Sequence, residues 1–328
     1  MTRQSSSRTR SDPAILAIVG PTGTGKSAAA LTLAEQLGAE VVAADAFTVY
    51  RGMDVGTAKP TRAERARVPH HMIDVLDPTR ECTVQWFQQA ARGAIAEVLA
   101  NAKTPLLVGG SGLYFRAVVD PLEFPPTDPA ARAEIEARYR DDPAAAHSAL
   151  CALDPAAAAR IDPSNLRRCV RALEVIALTG RAFSDWRRAW ETHEPIYSGL
   201  RVAGLHLPRD ELVRRLDARI DRMVAHGLVD ECRALAARDL SSTARQGIGY
   251  AEILDHLAGR CDLGEAVARA KVRTRRYAAR QGRWFAADPR VRWTRLTDRS
   301  GGFPPGDRCE AAALSHEILE VLQGPCGS

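Results

Sequence analysis

Short apolar runs alternate with longer helical patterns along most of the chain. Strands that alternate with helices in this way favour a parallel sheet with helices on both faces. In such sheets, ligands bind beyond the carboxyl ends of the strands. The pattern therefore predicts an α/β fold with its ligand site at that edge. The expected strands are 14–19, 40–44, 72–76, 105–108, 201–207 and 291–296.

The pattern changes between residues 120 and 198, where Ala, Arg and Pro dominate and Asp-Pro pairs interrupt short helical stretches. We find no strand pattern there and predict an all-helical insertion domain. Residues 14–119 and 199–328 then form the α/β core, which ends in basic helices. A long helix is expected from Arg209 to His226. The polar, Ser/Arg-rich residues 1–13 are expected to be a disordered tail.

A glycine-rich loop joins the first strand to an Ala/Leu-rich helix. Its spacing, Gly-x-x-x-x-Gly-Lys-Ser between a strand and a helix, is that of a phosphate-binding P-loop. Backbone N–H groups and the helix N-terminus would bind a di- or triphosphate, and the last hydroxyl would hold Mg²⁺. We therefore expect a P-loop NTPase-like sheet. The loop residues are Gly20, Pro21, Thr22, Gly23, Thr24, Gly25, Lys26 and Ser27.

Polar residues also follow two other strands. Asp45 ends the second strand and is either a general base or metal-assisting carboxylate, or an N-cap for the next segment. Ser111 lies in a Gly-Gly-Ser-Gly loop that is either a plain turn or a source of a hydroxyl in the site. No acid follows the strand 105–108, so the usual hydrolytic set of a nucleotide-hydrolysing P-loop protein is incomplete.

Basic residues are concentrated in two places, although the net charge of +5 is modest. The segment 269–283 has seven basic residues and no acid, with aromatic residues among and beside them. It is either a solvated helix face or a surface for phosphates and unstacked bases. A weaker cluster in the insertion contains Arg160, Arg167, Arg168 and Arg171. A diphosphate-using enzyme that acts on nucleic acid would explain both the loop and the basic segments.

The seven cysteines are single, with no Cys-x-x-Cys pair, which favours a reducing compartment. No apolar stretch approaches the roughly 20 residues that span a bilayer. We expect a cytoplasmic protein with no membrane partner.

Several motifs together resemble the bacterial-type tRNA dimethylallyltransferases, also called tRNA isopentenyltransferases. The resemblance runs from about residue 15 to 296. Beyond the phosphate loop and Asp45, it rests on segments 50–60 (Tyr-Arg-Gly-Met-Asp-Val-Gly-Thr-Ala-Lys-Pro), 69–74, 107–114, 165–175, 246–250 and 274–285. The Gly-Thr-Ala-Lys-Pro and Arg-Ala-Leu-Glu-Val sequences are the most specific of these.

The resemblance implies transfer of a dimethylallyl group from dimethylallyl diphosphate to N6 of adenine 37, on the 3′ side of the tRNA anticodon. It implies Mg²⁺ as cofactor, with Ser27 as the metal residue and a monomeric enzyme. Asp45 would accept the proton of the N6 amine, while Lys26 and the loop stabilise the departing diphosphate. Ser111 completes the catalytic residues. The adenine must leave its stack to reach them.

The family's tRNA contacts correspond to residues in both predicted domains, which would bind the anticodon stem-loop from two sides. These residues are Asp45, Ala46, Phe47, Thr48, Ser111, Arg132, Arg167, Arg168, Arg171, Gln246, Gly249, Tyr250, Arg280, Gln281 and Trp284. Ala46 and Thr48 depart from the Ser and Gln that are common in the family, while Ser111 replaces a common Thr and keeps the hydroxyl.

Three other functions fit parts of the sequence. An isopentenyltransferase that acts on free adenine nucleotides needs the core but not the basic segment or the insertion. A small-molecule kinase of the same loop class would transfer phosphoryl groups from ATP. An RNA-binding switch would change its tRNA affinity with nucleotide and form no covalent product.

Overall fold

The computed structural model describes residues 14–295 and 308–323. Within them the chain divides into two compact units. One comprises residues 14–119 and the chain from Pro195 onward, and the other is Asp120–Glu194. The predicted disordered tail at 1–13 and Leu296, the last residue of the final predicted strand, lie outside the described residues.

The first unit is built on a parallel sheet, as the alternating pattern predicts. In the described part of the chain the sheet has six strands in the order β3-β2-β4-β1-β5-β6. All pairings are parallel. The strands are β1 (Ile15–Val19), β2 (Glu40–Ala43), β3 (His70–His71), β4 (Pro105–Gly109), β5 (Leu200–His206) and β6 (Val291–Arg295).

The third strand corrects the sequence prediction, which placed it at 72–76. It lies at His70–His71, and Leu76 forms only an isolated bridge with Tyr50. The physical reason is local backbone geometry. Met72 and Asp74 adopt positive φ angles of 62° and 57°, a region that an extended strand does not enter.

The helices of the two units have the following bounds in chain order. They are α1 (Lys26–Leu37), α2 (Arg62–Arg67), α3 (Val84–Ala100), α4 (Gly112–Val119), α5 (Pro129–Tyr139), α6 (Pro143–Leu153), α7 (Pro155–Ala158), α8 (Leu166–Thr179), α9 (Arg188–Glu191), α10 (Arg209–Ala225), α11 (Leu228–Ala236), α12 (Ser242–Arg245), α13 (Tyr250–Leu257), α14 (Leu263–Ala286) and α15 (Arg308–Gln323).

The two sheet faces carry separate cores because side chains alternate along a strand. On one face, Leu16 and Ile18 pack with residues of α1 and with Leu314 of α15. On the other face, Ile15 and Ala17 belong to the core that includes buried residues of α3, α10, α11, α13 and α14. In the described residues no helix is both long and apolar enough to cross a membrane.

The second unit contains α5 to α9, and its described residues include no strand. The Asp-Pro pairs start helices. Asp128, Asp142 and Asp154 cap α5, α6 and α7, and a proline follows each cap. A carboxylate accepts otherwise unpaired N–H groups, and proline is tolerated in the first turn. These helices enclose a small core of their own around Leu150 and Leu173.

Candidate active site

A cavity of about 740 Å³ opens at the carboxyl-terminal edge of the sheet. It lies where a parallel sheet is expected to collect its ligands. The loops after β1, β2 and β4 form one side, and α10, α14 and the segments 56–60 and 247–250 contribute to the others. Polar side chains in its wall include Lys26, Ser27, Asp45, Thr48, Ser111, Arg219, Tyr277 and Gln281.

The loop after β1 has the backbone of an anion cradle. Gly20 and Gly25 adopt φ angles of 134° and 89°, which residues with a side chain rarely adopt. The Thr24 hydroxyl donates to the Pro21 carbonyl at 2.9 Å and closes the loop. The helix α1 begins directly after Gly25, which has no side chain to cap it. Its first N–H groups and positive dipole end therefore suit an anion.

Lys26 lies inside this cradle. Its Nζ donates to the Pro21 carbonyl at 2.6 Å. Burial and, less strongly, the nearby positive charge of Arg219 together lower the pKa of Lys26 to about 7, although Asp45 acts to raise it. Burial also lowers the pKa of Arg219, against the same carboxylate. Two cations and one carboxylate thus share this part of the cavity.

Asp45 caps the turn that follows it, one of the two roles that the sequence left open. Its Oδ1 accepts from the N–H groups of Phe47 at 2.8 Å and Thr48 at 3.4 Å, which caps the turn after β2. Among the described residues, Oδ2 has no hydrogen-bond partner, and the side chain lines the cavity. One oxygen therefore fixes the carboxylate, and the other is available to a ligand.

A side-chain network from α14 crosses the cavity wall. Gln281 is buried, and its Oε1 accepts from the N–H of Thr22 in the phosphate loop at 2.9 Å. Tyr277 lines the cavity near Ser111 and Gln281, and burial together with Asp45 raises the pKa of Tyr277 to about 12. Gln281 therefore ties α14 to the phosphate loop, and Tyr277 brings a phenol close to Ser111 after β4.

The glycines after β4 permit close packing. A Cβ on Gly109 would lie 2.2 Å from the Ala44 carbonyl oxygen, and one on Gly112 would lie 1.9 Å from Cδ1 of Trp284. Both distances are far below van der Waals contact. The end of β4 can pack against the end of β2, and the start of α4 against α14, only because these positions have no side chain.

The segment 50–60 is held by charged side chains. Glu231 accepts from the N–H groups of Asp54 at 2.9 Å and Val55 at 2.8 Å, and from the Tyr250 hydroxyl at 2.5 Å. Lys59, whose side chain is 2% exposed, pairs with Asp54 at 2.7 Å and Asp74 at 2.6 Å. The Gly-Thr-Ala-Lys-Pro sequence thus shapes this wall of the cavity.

Comparison with known proteins identifies the family. A family model described as IPP transferase matches residues 48–288, and one described as isopentenyl transferase matches residues 13–74. A tRNA dimethylallyltransferase from Streptomyces coelicolor is 47% identical over 311 residues, which cover 94% of this chain and 96% of the relative. This chain belongs to the tRNA dimethylallyltransferase family. It is therefore a prenyltransferase by family.

Other similar proteins agree. The tRNA dimethylallyltransferase from Kineococcus radiotolerans is 48% identical, with 94% of this chain and 96% of the relative covered. The crystal structure of a tRNA isopentenylpyrophosphate transferase from Bacillus halodurans matches with a TM-score of 0.66 at 39% identity, over 94% of this chain and 97% of that one. A eukaryotic dimethylallyltransferase acting on tRNA matches with a TM-score of 0.74 at 25% identity, over 94% and 80%.

The basic segment of this tRNA dimethylallyltransferase family member lies on α14, and much of its charge is neutralised within the fold. The sequence shows no acid in the segment, but acids on α10 and α13 face it. Four of its seven cations form ion pairs. For these four, the charge is balanced within the fold and does not by itself indicate a bound anion. The pairs are Arg269 with Asp255, Lys271 with Asp221, Arg273 with Glu252 and Arg275 with Asp217.

The carboxyl-terminal half of α14 differs. Arg276, Arg280 and Arg283 are exposed and have no acidic partner among the described residues. The Arg280 guanidinium lies 5.7 Å from the ring centre of Tyr277. Trp284 is 42% exposed, although its ring also packs on Gly112. This half therefore presents cations and an indole to solvent.

The remaining residues expected from the tRNA dimethylallyltransferase resemblance fall into three groups. Ala46, Phe47, Thr48 and Tyr250 line the cavity with Asp45 and Ser111. Gln246 is exposed at the end of α12, and Gly249 starts α13 with a φ of 92°. Arg132, Arg167, Arg168 and Arg171 belong to the helical unit, where they line a separate cavity.

Sequence reasoning missed several polar residues of the active-site cavity, among them Arg219 and Tyr277. Arg219 lies between Leu216 and Ile220, two buried residues of α10. Only the packing of that helix brings Arg219 near the phosphate loop. Tyr277 was visible only as one aromatic residue within the basic segment.

Proposed function

We propose that this protein transfers the dimethylallyl group of dimethylallyl diphosphate to N6 of adenine 37 in tRNA, next to the anticodon. One observation carries the proposal: a phosphate cradle and a carboxylate with an unpaired oxygen line the same cavity. The reaction needs the leaving diphosphate on one side of the allylic carbon and a base beside the amine that attacks this carbon from the other side. The family membership supports this reaction and these two substrates.

The diphosphate binds to the loop after β1. Its oxygens accept from the N–H groups at the start of α1 and from Lys26 and Arg219, which line the same space. As the C–O bond to the allylic carbon breaks, the bonding electrons leave with the diphosphate. Fixed donors and cations stabilise this charge where it develops.

Asp45 acts as the general base. The exocyclic amine of adenine is a weak nucleophile, so its proton must be removed as the new N–C bond forms. The Oδ2 atom accepts this proton, while hydrogen bonds from Phe47 and Thr48 hold Oδ1. Because one oxygen is fixed by the backbone, the other has a defined direction.

Mg²⁺ is part of the proposal, and the residues present fit it. The described residues contain no cluster of three or more His, Cys, Asp or Glu side chains that could hold a metal. A hard cation that binds few protein groups and several phosphate oxygens needs no such cluster. Ser27 would hold the ion, with Asp45 in the same cavity. When bound, Mg²⁺ would neutralise charge on the diphosphate.

Anticodon stem-loop binding is proposed for the exposed half of α14. Its unpaired arginines suit phosphates, and Trp284 offers a ring for stacking. Gln281 and Tyr277 have another role in this account. Gln281 holds the phosphate loop through the N–H of Thr22, and Tyr277 lies near Ser111 in the cavity wall.

The test is the mass of the RNA product. A tRNA whose anticodon is followed by adenosine is incubated with enzyme, Mg²⁺ and dimethylallyl diphosphate, and then digested and analysed by mass spectrometry. We expect one added dimethylallyl group, on that adenosine. Transfer to AMP alone, or phosphoryl transfer from ATP, would contradict the proposal. An inactive RNA control carries guanosine at the same position.

A further inference from the structure

The helical unit contains a cavity of its own, with a volume of about 420 Å³. This volume is in the range of sites for small molecules, roughly 300–1,000 Å³. Cations dominate the wall, and Glu136 is the one acid that lines it. The cations are Arg132, Arg160, Arg167, Arg168 and Arg171.

Two of these arginines are fixed by a buried carboxylate. Glu174 is fully buried, and its Oε2 accepts from Arg132 at 2.8 Å and from Arg171 at 2.9 Å. Arg171 also donates to the carbonyl groups of Pro125 and Pro126, each at 2.9 Å. The fold therefore sets the direction of these guanidinium groups before any ligand binds.

The other three arginines are exposed at the rim. Arg167 and Arg168 lie in the first turn of α8 and have no acidic partner among the described residues. Arg160 is 4.0 Å from Glu191, at the limit of an ion pair. A surface ion pair of this kind contributes little, so these cations are available to an anion.

Aromatic side chains line the other side. Phe183 and Arg171 belong both to this cavity and to an adjoining one of about 340 Å³, which Trp186 and Trp190 also line. Phe183 is half-buried against the core of the unit. The Nε1 atom of Trp186 is buried without a hydrogen-bond partner in the described residues.

We propose that this cavity binds one unstacked nucleotide of tRNA, different from the adenosine that receives the prenyl group. Its base lies against Phe183 and its phosphates on Arg167 and Arg168. The proposal rests on the proposed function and adds a second nucleotide-binding site, which lies wholly within the helical unit. Aromatic faces and arginines are the groups by which proteins bind bases splayed out of single-stranded RNA.

The combination of groups argues against a simple phosphate surface. Exposed arginines alone would bind any RNA backbone. Here they surround a concave space with a ring in its wall and with two guanidinium groups that Glu174 holds in place. Fixed, planar donors favour a ligand of defined shape over a diffuse charge.

A coupling experiment tests the inference. A fluorescent anticodon stem-loop RNA is prepared with each loop nucleotide in turn replaced by an abasic one, and binding is measured with wild type and Phe183→Leu. We expect one loop position at which the abasic change weakens wild-type binding about fivefold or more, the lower end of a lost base stack. At that position the same abasic change should weaken binding by the Phe183→Leu protein less than about twofold, because this variant has no aromatic ring on which the base could stack.

Equal losses in both proteins at every loop position would overturn the inference and leave a phosphate contact only. Phe183→Tyr keeps the ring and should bind as wild type does. Because Phe183 also packs in the unit, the double variant Arg167→Ala/Arg168→Ala gives an independent test at exposed positions. Its affinity should fall, and the slope of log K against log salt should become less steep by about 2. An unchanged slope contradicts the proposal.

Two controls separate this inference from the proposed function. Arg138→Ala removes an exposed arginine of α5 that lines neither cavity, and it should bind the stem-loop as wild type does. Wild-type protein is also assayed for dimethylallyl transfer to the same RNA. Failure of that transfer refutes the proposed function. If wild type transfers the dimethylallyl group while Phe183→Leu and Arg167→Ala/Arg168→Ala bind the stem-loop normally, only the second site is refuted.

Discussion

Lys26 and Arg219 place two cations beside one carboxylate in the active-site cavity. The pKa of Lys26 falls to about 7 because its ammonium group is buried and because Arg219 is close. A bound diphosphate would add negative charge and favour the protonated amine. At the scale of single residues, binding of substrate and protonation of Lys26 are therefore coupled.

This coupling predicts proton uptake. The charged form of Lys26 is populated below pH 7 and lost above it, so affinity for inorganic pyrophosphate should be highest below pH 7. Above pH 7 the Lys26 contribution should decline by up to about tenfold per pH unit. Calorimetry near pH 8 in two buffers of different ionisation enthalpy measures the protons. The Lys26→Met protein should take up fewer of them, and equal uptake by both proteins would contradict the assignment.

Arg219→Gln should weaken pyrophosphate binding about 10- to 100-fold, the range expected for a lost charge-assisted hydrogen bond. The change removes a cation from the cavity and keeps a polar side chain. Arg214→Gln, on an exposed position of α10 outside the cavity, is the matched control and should bind normally. If both variants bound like wild type, Arg219 would have no part in the diphosphate site.

At the scale of elements, α14 has two halves with different roles. Its amino-terminal half pairs with acids of α10 and α13, whereas its carboxyl-terminal half exposes unpaired arginines and Trp284. A count of charges in the sequence does not distinguish the halves, because their partners lie on other helices.

A pair of substitutions on α14 tests this division. Arg273→Ala leaves the buried Glu252 without its cation and should lower the free energy of unfolding by about 1–3 kcal/mol. Arg280→Ala should change that free energy by less than about 0.5 kcal/mol and make the salt dependence of stem-loop binding less steep by about 1. Urea denaturation and fluorescence anisotropy measure the two effects. The reverse result would exchange the assigned roles.

A fully buried carboxylate, Glu174, stabilises the helical unit. Burial alone would raise the pKa of Glu174, but hydrogen bonds from Arg171 and Arg132 outweigh it and hold that pKa below its ordinary value. A carboxyl group with a lowered pKa in the folded state contributes stability above its unfolded pKa. This contribution is lost as pH falls through the folded value.

Glu174→Gln should therefore reduce stability strongly at pH 7 and much less at pH 3. Urea denaturation followed by the fluorescence of Trp186 and Trp190 reports on this unit. The difference between wild type and variant should shrink steadily as pH falls below about 4.5, the ordinary pKa of a glutamate. A difference that stays constant across this range would show that the pKa of Glu174 is the same in the folded and unfolded states.

At the scale of the whole molecule, the sequence predicts what is local and misses what depends on packing. The phosphate loop, Asp45 and Ser111 are recognisable because each directly follows a strand, and parallel strands end at one edge. Arg219 could not be placed in this way, since only the packing of α10 on the sheet brings it to the loop. The third strand was misplaced because positive φ angles at Met72 and Asp74 are not visible in an apolar pattern.

The central claim is that Asp45 removes the proton of the attacking amine in a cavity that it shares with the diphosphate loop. The direct measurement is the single-turnover rate of dimethylallyl transfer by Asp45→Asn, with both substrates saturating. The amide oxygen can still accept from Phe47 and Thr48, so the turn after β2 should persist. We predict a rate at least about 100-fold below wild type, with stem-loop affinity unchanged. A rate within about threefold of wild type would contradict the account.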